Sequence, residues 1–203
     1  MTDSVVHVID DDPSAREALE FLLDCAGFAV MTYASANAFL EALPAREPGC
    51  IVTDVRMPGM NGVELVRRLK ALNVPDPVIV ITGHADVPMA IAAMKEGVAD
   101  FIEKPFSDGA ILDAVRAVLA RRGAREEARR AREAIVARMD GLSQREHEVL
   151  HGLYEGHANK VIASDLGISD RTVEIYRANV MTKMGARTLS ELVRMVAAAR
   201  LAD

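Results

Sequence analysis

Apolar and polar positions along this chain follow two rhythms, and the change between them divides it. Five short runs rich in apolar or β-branched residues, at 5–10, 29–33, 50–54, 78–82 and 100–103, have the length and composition of buried strands. Between them, residues 14–26, 36–43, 62–72 and 87–96 place apolar side chains three and four positions apart, the spacing of one helix face. Strict alternation of strand and helix predicts an α/β domain, a five-stranded doubly wound parallel sheet with helices on both faces. Pro13 pre-sets the first turn of the first helix, and Gly27 suits its close. A fifth helix begins near Ser107, where Ile111, Leu112, Val115, Val118 and Leu119 form a stripe that can pack back on the sheet.

Beyond that stripe the strands stop. Residues 123–140 are nearly all Ala, Arg and Glu, a helical linker with no core of its own, and Gly123 is its expected weak point. A sharper alternative is an extended helix that mediates dimer contacts. Four helical segments follow, at 143–154, 159–166, 171–184 and 190–201, the first opened by a Ser143/Glu146 capping-box pattern. The expected plan is therefore an α/β domain over 1–122, a linker over 123–140 and an all-α four-helix domain over 141–203.

Charge follows the same division. The chain carries a formal net charge of −6, but residues 1–107 hold 16 acids against 8 Lys and Arg, residues 108–139 hold 5 against 8, and residues 140–203 hold 9 against 8. Acidity belongs to the first domain, so the whole-chain value says little about what the last domain binds. Cys25 and Cys50 lack any paired spacing and are expected to be buried thiols in a reducing compartment. The first residues show no secretory signal, and no stretch approaches the roughly 20 apolar residues of a membrane span. The expectation is a cytoplasmic protein with no membrane partner.

In an open parallel sheet the carboxyl ends of the strands converge on one crevice. Asp10 and Asp11 follow the first strand, Asp54 ends the third and Lys104 follows the fifth, so these four residues should be neighbours. Three carboxylates and a lysine make a divalent-cation site with a spare anion position, which is the chemistry of accepting a phosphoryl group. Capping of the helix at Pro13 explains a run of three aspartates, but neither Asp54, Thr82 nor Lys104.

The strings VHVIDDDPSAREAL, IVTDVRMPGMNG, ITGHADVPMAI, DFIEKPF and TVEIYRANVMTKM resemble those of two-component response regulators of the FixJ type. That resemblance covers both ends of the chain, and implies a flavodoxin-like receiver domain followed by a LuxR-type helix-turn-helix output domain. It implies that Asp54 is the phosphoacceptor and Asp11 a direct Mg²⁺ ligand, with Asp10 binding through water and the Arg56 carbonyl completing the set. Thr82 and Lys104 would hold the phosphoryl oxygens, and the Lys104–Pro105 bond would be cis. Phosphorylation would draw the Thr82 hydroxyl to Asp54 and let Phe101 move inward, changing the face formed by 87–96 and the strand at Phe101 so that a second subunit pairs there. Arg56 and His84 flank the site at positions that govern water access, so a long-lived phosphoryl form is expected. An aspartyl-phosphate phosphatase would want a carboxylate where Arg56 stands, so no enzyme is expected.

The segment 159–184 joins a short helix to a longer one through a Gly-containing turn, as a helix-turn-helix does. Val173, Val180 and Met184 share one face of the second helix and should meet Ile162, Leu166 and Leu192 in a small core. The opposite face shows Arg171, Glu174, Ile175, Ala178 and Thr182. Arg suits guanine, Glu suits cytosine, and Ile or Ala suits a thymine methyl. Asn159, Lys160, Arg177 and Lys183 are placed to reach phosphates; for Tyr176, a phosphate contact and partial burial stand level. Nothing in the segment has the stacking aromatics of RNA binding. The expected partners are a sensor histidine kinase, double-stranded DNA, a second copy of the chain when phosphorylated, and RNA polymerase. The resemblance implies an activator, with oxygen-responsive or nitrogen-fixation genes as its targets.

Overall fold

The computed structural model describes residues 5–83, 91 and 94–200. The expected helix over 87–96 lies largely outside these residues, and His84 wholly so. The chain divides into two compact units, Met1–Ala124 and Arg125–Asp203.

Among the described residues, the first unit carries β1 (Val5–Ile9), α1 (Pro13–Cys25), β2 (Ala29–Tyr33), α2 (Ala36–Ala42), a 3-10 turn (Leu43–Ala45), β3 (Gly49–Asp54), α3 (Gly62–Ala71), β4 (Val78–Gly83) and β5 (Asp100–Lys104). The strands form one parallel sheet in the order β2-β1-β3-β4-β5. Both faces of its three central strands are covered, so their sequences are nearly continuous apolar runs. Alternation sorts each strand between two layers. Val6, Val8, Val52, Ile79 and Ile81 meet Leu19 and Leu23 of α1, together with Ile111 and Val115. Ile9, Ile51 and Val80 meet Phe39 of α2 and Leu65 and Leu69 of α3. The edge strand β2 stays partly open.

Ile111 and Val115 belong to α4 (Asp108–Asp140), a helix of 33 residues whose later part falls in the second unit. It passes through Gly123 without a break, so the expected weak point does not interrupt it. Flanking Ala and Arg favour helix, and Glu126–Arg129, Glu126–Arg130 and Arg129–Glu133 ion pairs lace the exposed turns at i,i+3 and i,i+4 spacing. Ile135 and Met139 pack against the core of the second unit, so this stretch is not simply solvated. That unit continues with α5 (Gln144–Tyr154), α6 (Asn159–Leu166), α7 (Asp170–Met184) and α8 (Leu189–Arg200). Its core joins Val173, Val180 and Met184 to Ile162 and Leu192, with Leu166 packed against them, as the apolar spacing predicts.

One expectation fails for a simple reason of helix phase. Cys50 is fully buried on β3, but Cys25 is exposed. The inward stripe of α1 runs through Leu19 and Leu23, and Cys25, two residues further on, turns away from it.

Candidate functional site

The carboxyl ends of β1, β3 and β5 bring Asp10, Asp54 and Lys104 together. The Lys104 ammonium donates to Asp54 Oδ1 at 2.6 Å and to Asp10 Oδ2 at 3.4 Å. Both acids are buried, Asp10 at 3% and Asp54 at 8% exposure, and the single ammonium they share offsets part of their charge. Burial pushes the Asp10 carboxyl up from its usual range; the Asp12 N–H and the Lys104 charge oppose this without cancelling it. Burial pulls the Lys104 ammonium down, but its hydrogen bond to Asp54 and the charges of Asp54 and Asp10 outweigh that and raise it.

Backbone donors fix the carboxylates. Asp10 Oδ1 accepts the Asp12 N–H at 2.9 Å, and Asp54 Oδ2 accepts the Arg56 N–H at 2.6 Å. Arg16 Nη1 donates to the Asp10 carbonyl at 2.7 Å. Asp12 caps α1 by accepting the Ser14 N–H at 2.9 Å. Behind Asp54 the start of α3 comes very close, since a Cβ on Gly62 would stand 2.3 Å from the Asp54 carbonyl oxygen. Only glycine lets that helix seat itself there. The Lys104–Pro105 bond is cis.

Three expected members stand apart from this group. Asp11 is exposed, in the bend that follows β1, whereas Asp10 is buried. Among the described residues no three His, Cys, Asp or Glu side chains gather closely enough to hold a metal ion, so Asp11 does not join Asp10 and Asp54 in the expected trio. Thr82 is buried one register step beyond the Asp54–Ile81 pair, and its hydroxyl donates to the Gly83 carbonyl at 3.4 Å rather than to Asp54. Phe101 lies on the edge strand at 41% exposure, turned outward.

In the second unit, α6 ends on Gly167 in the left-handed region, at φ 65°, and Ser169 caps α7 by accepting the Thr172 N–H at 3.2 Å. This is the turn of a helix-turn-helix. Arg171, Glu174, Ala178 and Thr182 are exposed on the outer face of α7, and Ile175 is 55% exposed there although apolar. Tyr176 is half-buried, packed against the core. Lys160 is exposed, whereas Arg177 Nη1 donates to Asn159 Oδ1 at 3.4 Å. Lys183 donates to Glu146 Oε2 at 2.6 Å, and Glu146 also accepts the Ser143 N–H at 2.7 Å. Lys183 first and Ser143 second hold the Glu146 carboxyl down at about 2. The capping pattern marks Glu146 in the sequence, but nothing there marks its pairing with a lysine 37 residues on.

Sheet order, converging acids and helix-turn-helix together define a class, a receiver fold coupled to a DNA-binding output. Residues 6–116 match the response regulator receiver domain, and residues 140–196 match the bacterial regulatory proteins of the luxR family. The chain belongs to the response regulators that control transcription, and is not an enzyme. It is 57% identical to the transcriptional regulatory protein FixJ of Azorhizobium caulinodans over 97% of this chain and 93% of that protein. It is 50% identical to FixJ of Rhizobium meliloti over 98% and 97%. Among solved structures, full-length FixJ from B. japonicum matches over the whole of both chains at 47% identity and a TM-score of 0.65. The response regulator StyR matches at 41% identity and a TM-score of 0.84, over 97% of this chain and 99% of that one. Among the described residues no helix is long and apolar enough to cross a membrane.

Proposed function

We propose that Asp54 accepts a phosphoryl group from the phosphohistidine of a sensor kinase, and that the acyl phosphate dimerises the receiver and directs the α7 face onto a two-half-site operator. The observation that carries this reading is the Lys104 ammonium shared between two buried carboxylates at the ends of β1 and β3. An Asp54 oxygen attacks phosphorus as the P–N bond breaks, and the electron pair leaves with the imidazole. Lys104 then stands beside the new phosphoryl oxygens and neutralises part of their charge. The carboxylates of Asp10 and Asp54 and the carbonyl of Arg56 are hard oxygen donors that suit Mg²⁺, which would supply further charge neutralisation when bound; Asp11, exposed beside them, would have to turn inward to complete the set. Thr82 serves as the switch hydroxyl and Phe101 as the side chain that follows it. On the output side, Arg171, Glu174, Ile175 and Ala178 read bases, while Asn159, Lys160, Arg177 and Lys183 meet phosphates.

The extensive identity with FixJ proteins supports an activator of oxygen-responsive or nitrogen-fixation genes acting with RNA polymerase in the cytoplasm. The C4-dicarboxylate transport regulator DctR of Rhodobacter capsulatus is 47% identical, which warns that target genes vary within this similarity.

Treatment with a small phosphodonor and Mg²⁺, followed by intact-mass analysis and sedimentation, tests the reading. The wild-type chain should gain one phosphoryl group and dimerise, and Asp54→Asn should do neither while melting normally. A phosphoryl gain on Asp54→Asn would overturn the acceptor assignment.

A further inference from the structure

We infer that Asn179 reads an adenine in each operator half-site. The inference rests on the proposed reading of α7 as the helix that enters the major groove. Val173, Val180 and Met184 define the buried side of α7. At about 100° per residue, Thr182, Arg171, Ile175 and Ala178 cluster around the opposite mid-line, and Asn179 lies about 60° to one side of it. Glu174 lies about 80° to the other side, so Asn179 is nearer the centre of the outward face than a residue whose chemistry already suggests base contact.

Asn179 is exposed, and its amide has no hydrogen-bond partner among the described residues. The polar neighbours on α7 are committed differently. Thr182 donates its hydroxyl to the Ala178 carbonyl at 2.9 Å, which leaves its methyl as the group it presents. Arg177 is tied to Asn159, and Lys183 to Glu146. Asn179 therefore keeps both an acceptor and a donor free on the groove side. An amide fork of that kind matches adenine, accepting from N6–H and donating to N7. Beside it, Ile175, Ala178 and the Thr182 methyl make an apolar strip suited to thymine methyls. The half-site that fits this face carries an adenine flanked by thymines.

The test selects duplexes from a random pool with the full-length phosphorylated chain, then remeasures binding to the selected operator with each adenine in turn replaced by 7-deazaadenine, which lacks N7. The wild-type chain, losing one of the two hydrogen bonds, should bind about 2- to 12-fold more weakly at one adenine per half-site. Asn179→Ala should bind the unmodified operator more weakly by at least that factor, and should no longer respond to 7-deazaadenine at that position. Asn179→Asp should shift the preference there toward cytosine. Equal sensitivity of wild type and Asn179→Ala at every adenine overturns the inference, as does a loss for Asn179→Ala that is uniform across sequences. Arg171→Ala separates the two failures. If it alters base preference while Asn179→Ala does not, only the adenine assignment falls; if neither variant alters it, α7 is not the reading helix.

Discussion

Asp76 lies at the opposite end of the sheet from Asp54, and its carboxylate accepts the Gly49 N–H at 2.7 Å while pairing with Arg46 and, at 3.5 Å, with Arg122 of α4. Both Arg46 and Asp76 side chains are almost fully buried. Removing one member of such a pair leaves the other charge uncompensated, so Asp76→Ala is expected to cost the first unit about 3–5 kcal/mol, read as a lower urea midpoint. Nothing periodic in the sequence announces this cluster, because it joins single residues from three separate segments. The cysteines show the complementary limit. Burial pushes the Cys50 thiol up to about 12, whereas Cys25 is open to solvent, so iodoacetamide on the native chain should alkylate Cys25 alone. Labelling of both at equal rates would show that β3 opens readily.

Elements were more legible than side-chain pairs. Strand limits follow the apolar runs closely, as with 78–82 and β4, since a strand buried on both faces leaves a continuous signal. The second, helical unit was equally plain, through its capping box and the αL glycine after α6. What composition left open was where α4 ends, because Arg and Ala are as content in a free linker as in a packed helix. In the structure Ile135 and Met139 reach the core of the second unit, and Arg138 Nη1 donating to the Met184 carbonyl at 3.0 Å secures the packing. The α5 cap gives a pH test. Glu146 is held down at about 2 in the fold against an ordinary value of 4.5, so its stabilisation is complete above 4.5 and is lost as pH falls through about 2. Glu146→Gln should flatten that part of the second unit's stability profile, measured by urea midpoints across the range. Ser143→Ala, which removes the other half of the box, should cost about 0.5–2 kcal/mol at neutral pH.

At the scale of the molecule, two compact units with separate cores should respond separately. Calorimetry is expected to resolve two transitions, with Asp76→Ala lowering one and Ser143→Ala the other, and the double variant should show both shifts added. A change in both transitions from either single variant would mean that the units unfold together. Convergence of Asp10, Asp54 and Lys104 was readable in advance because strand ends in an open sheet point one way. The placements of Asp11, Thr82 and Phe101 were harder, since they depend on rotamers and edge exposure that no spacing encodes.

The Lys104–Asp10 contact spans 94 residues. Asp10 and Asp54 are made early during synthesis, but the ammonium that bridges them arrives only with β5. A chain emerging from the ribosome therefore carries an uncompensated acidic pair until β5 docks, and closing so long a loop is intrinsically slow. The cleft is thus a record of completed folding, since an unfinished receiver lacks the amine that bridges Asp10 and Asp54.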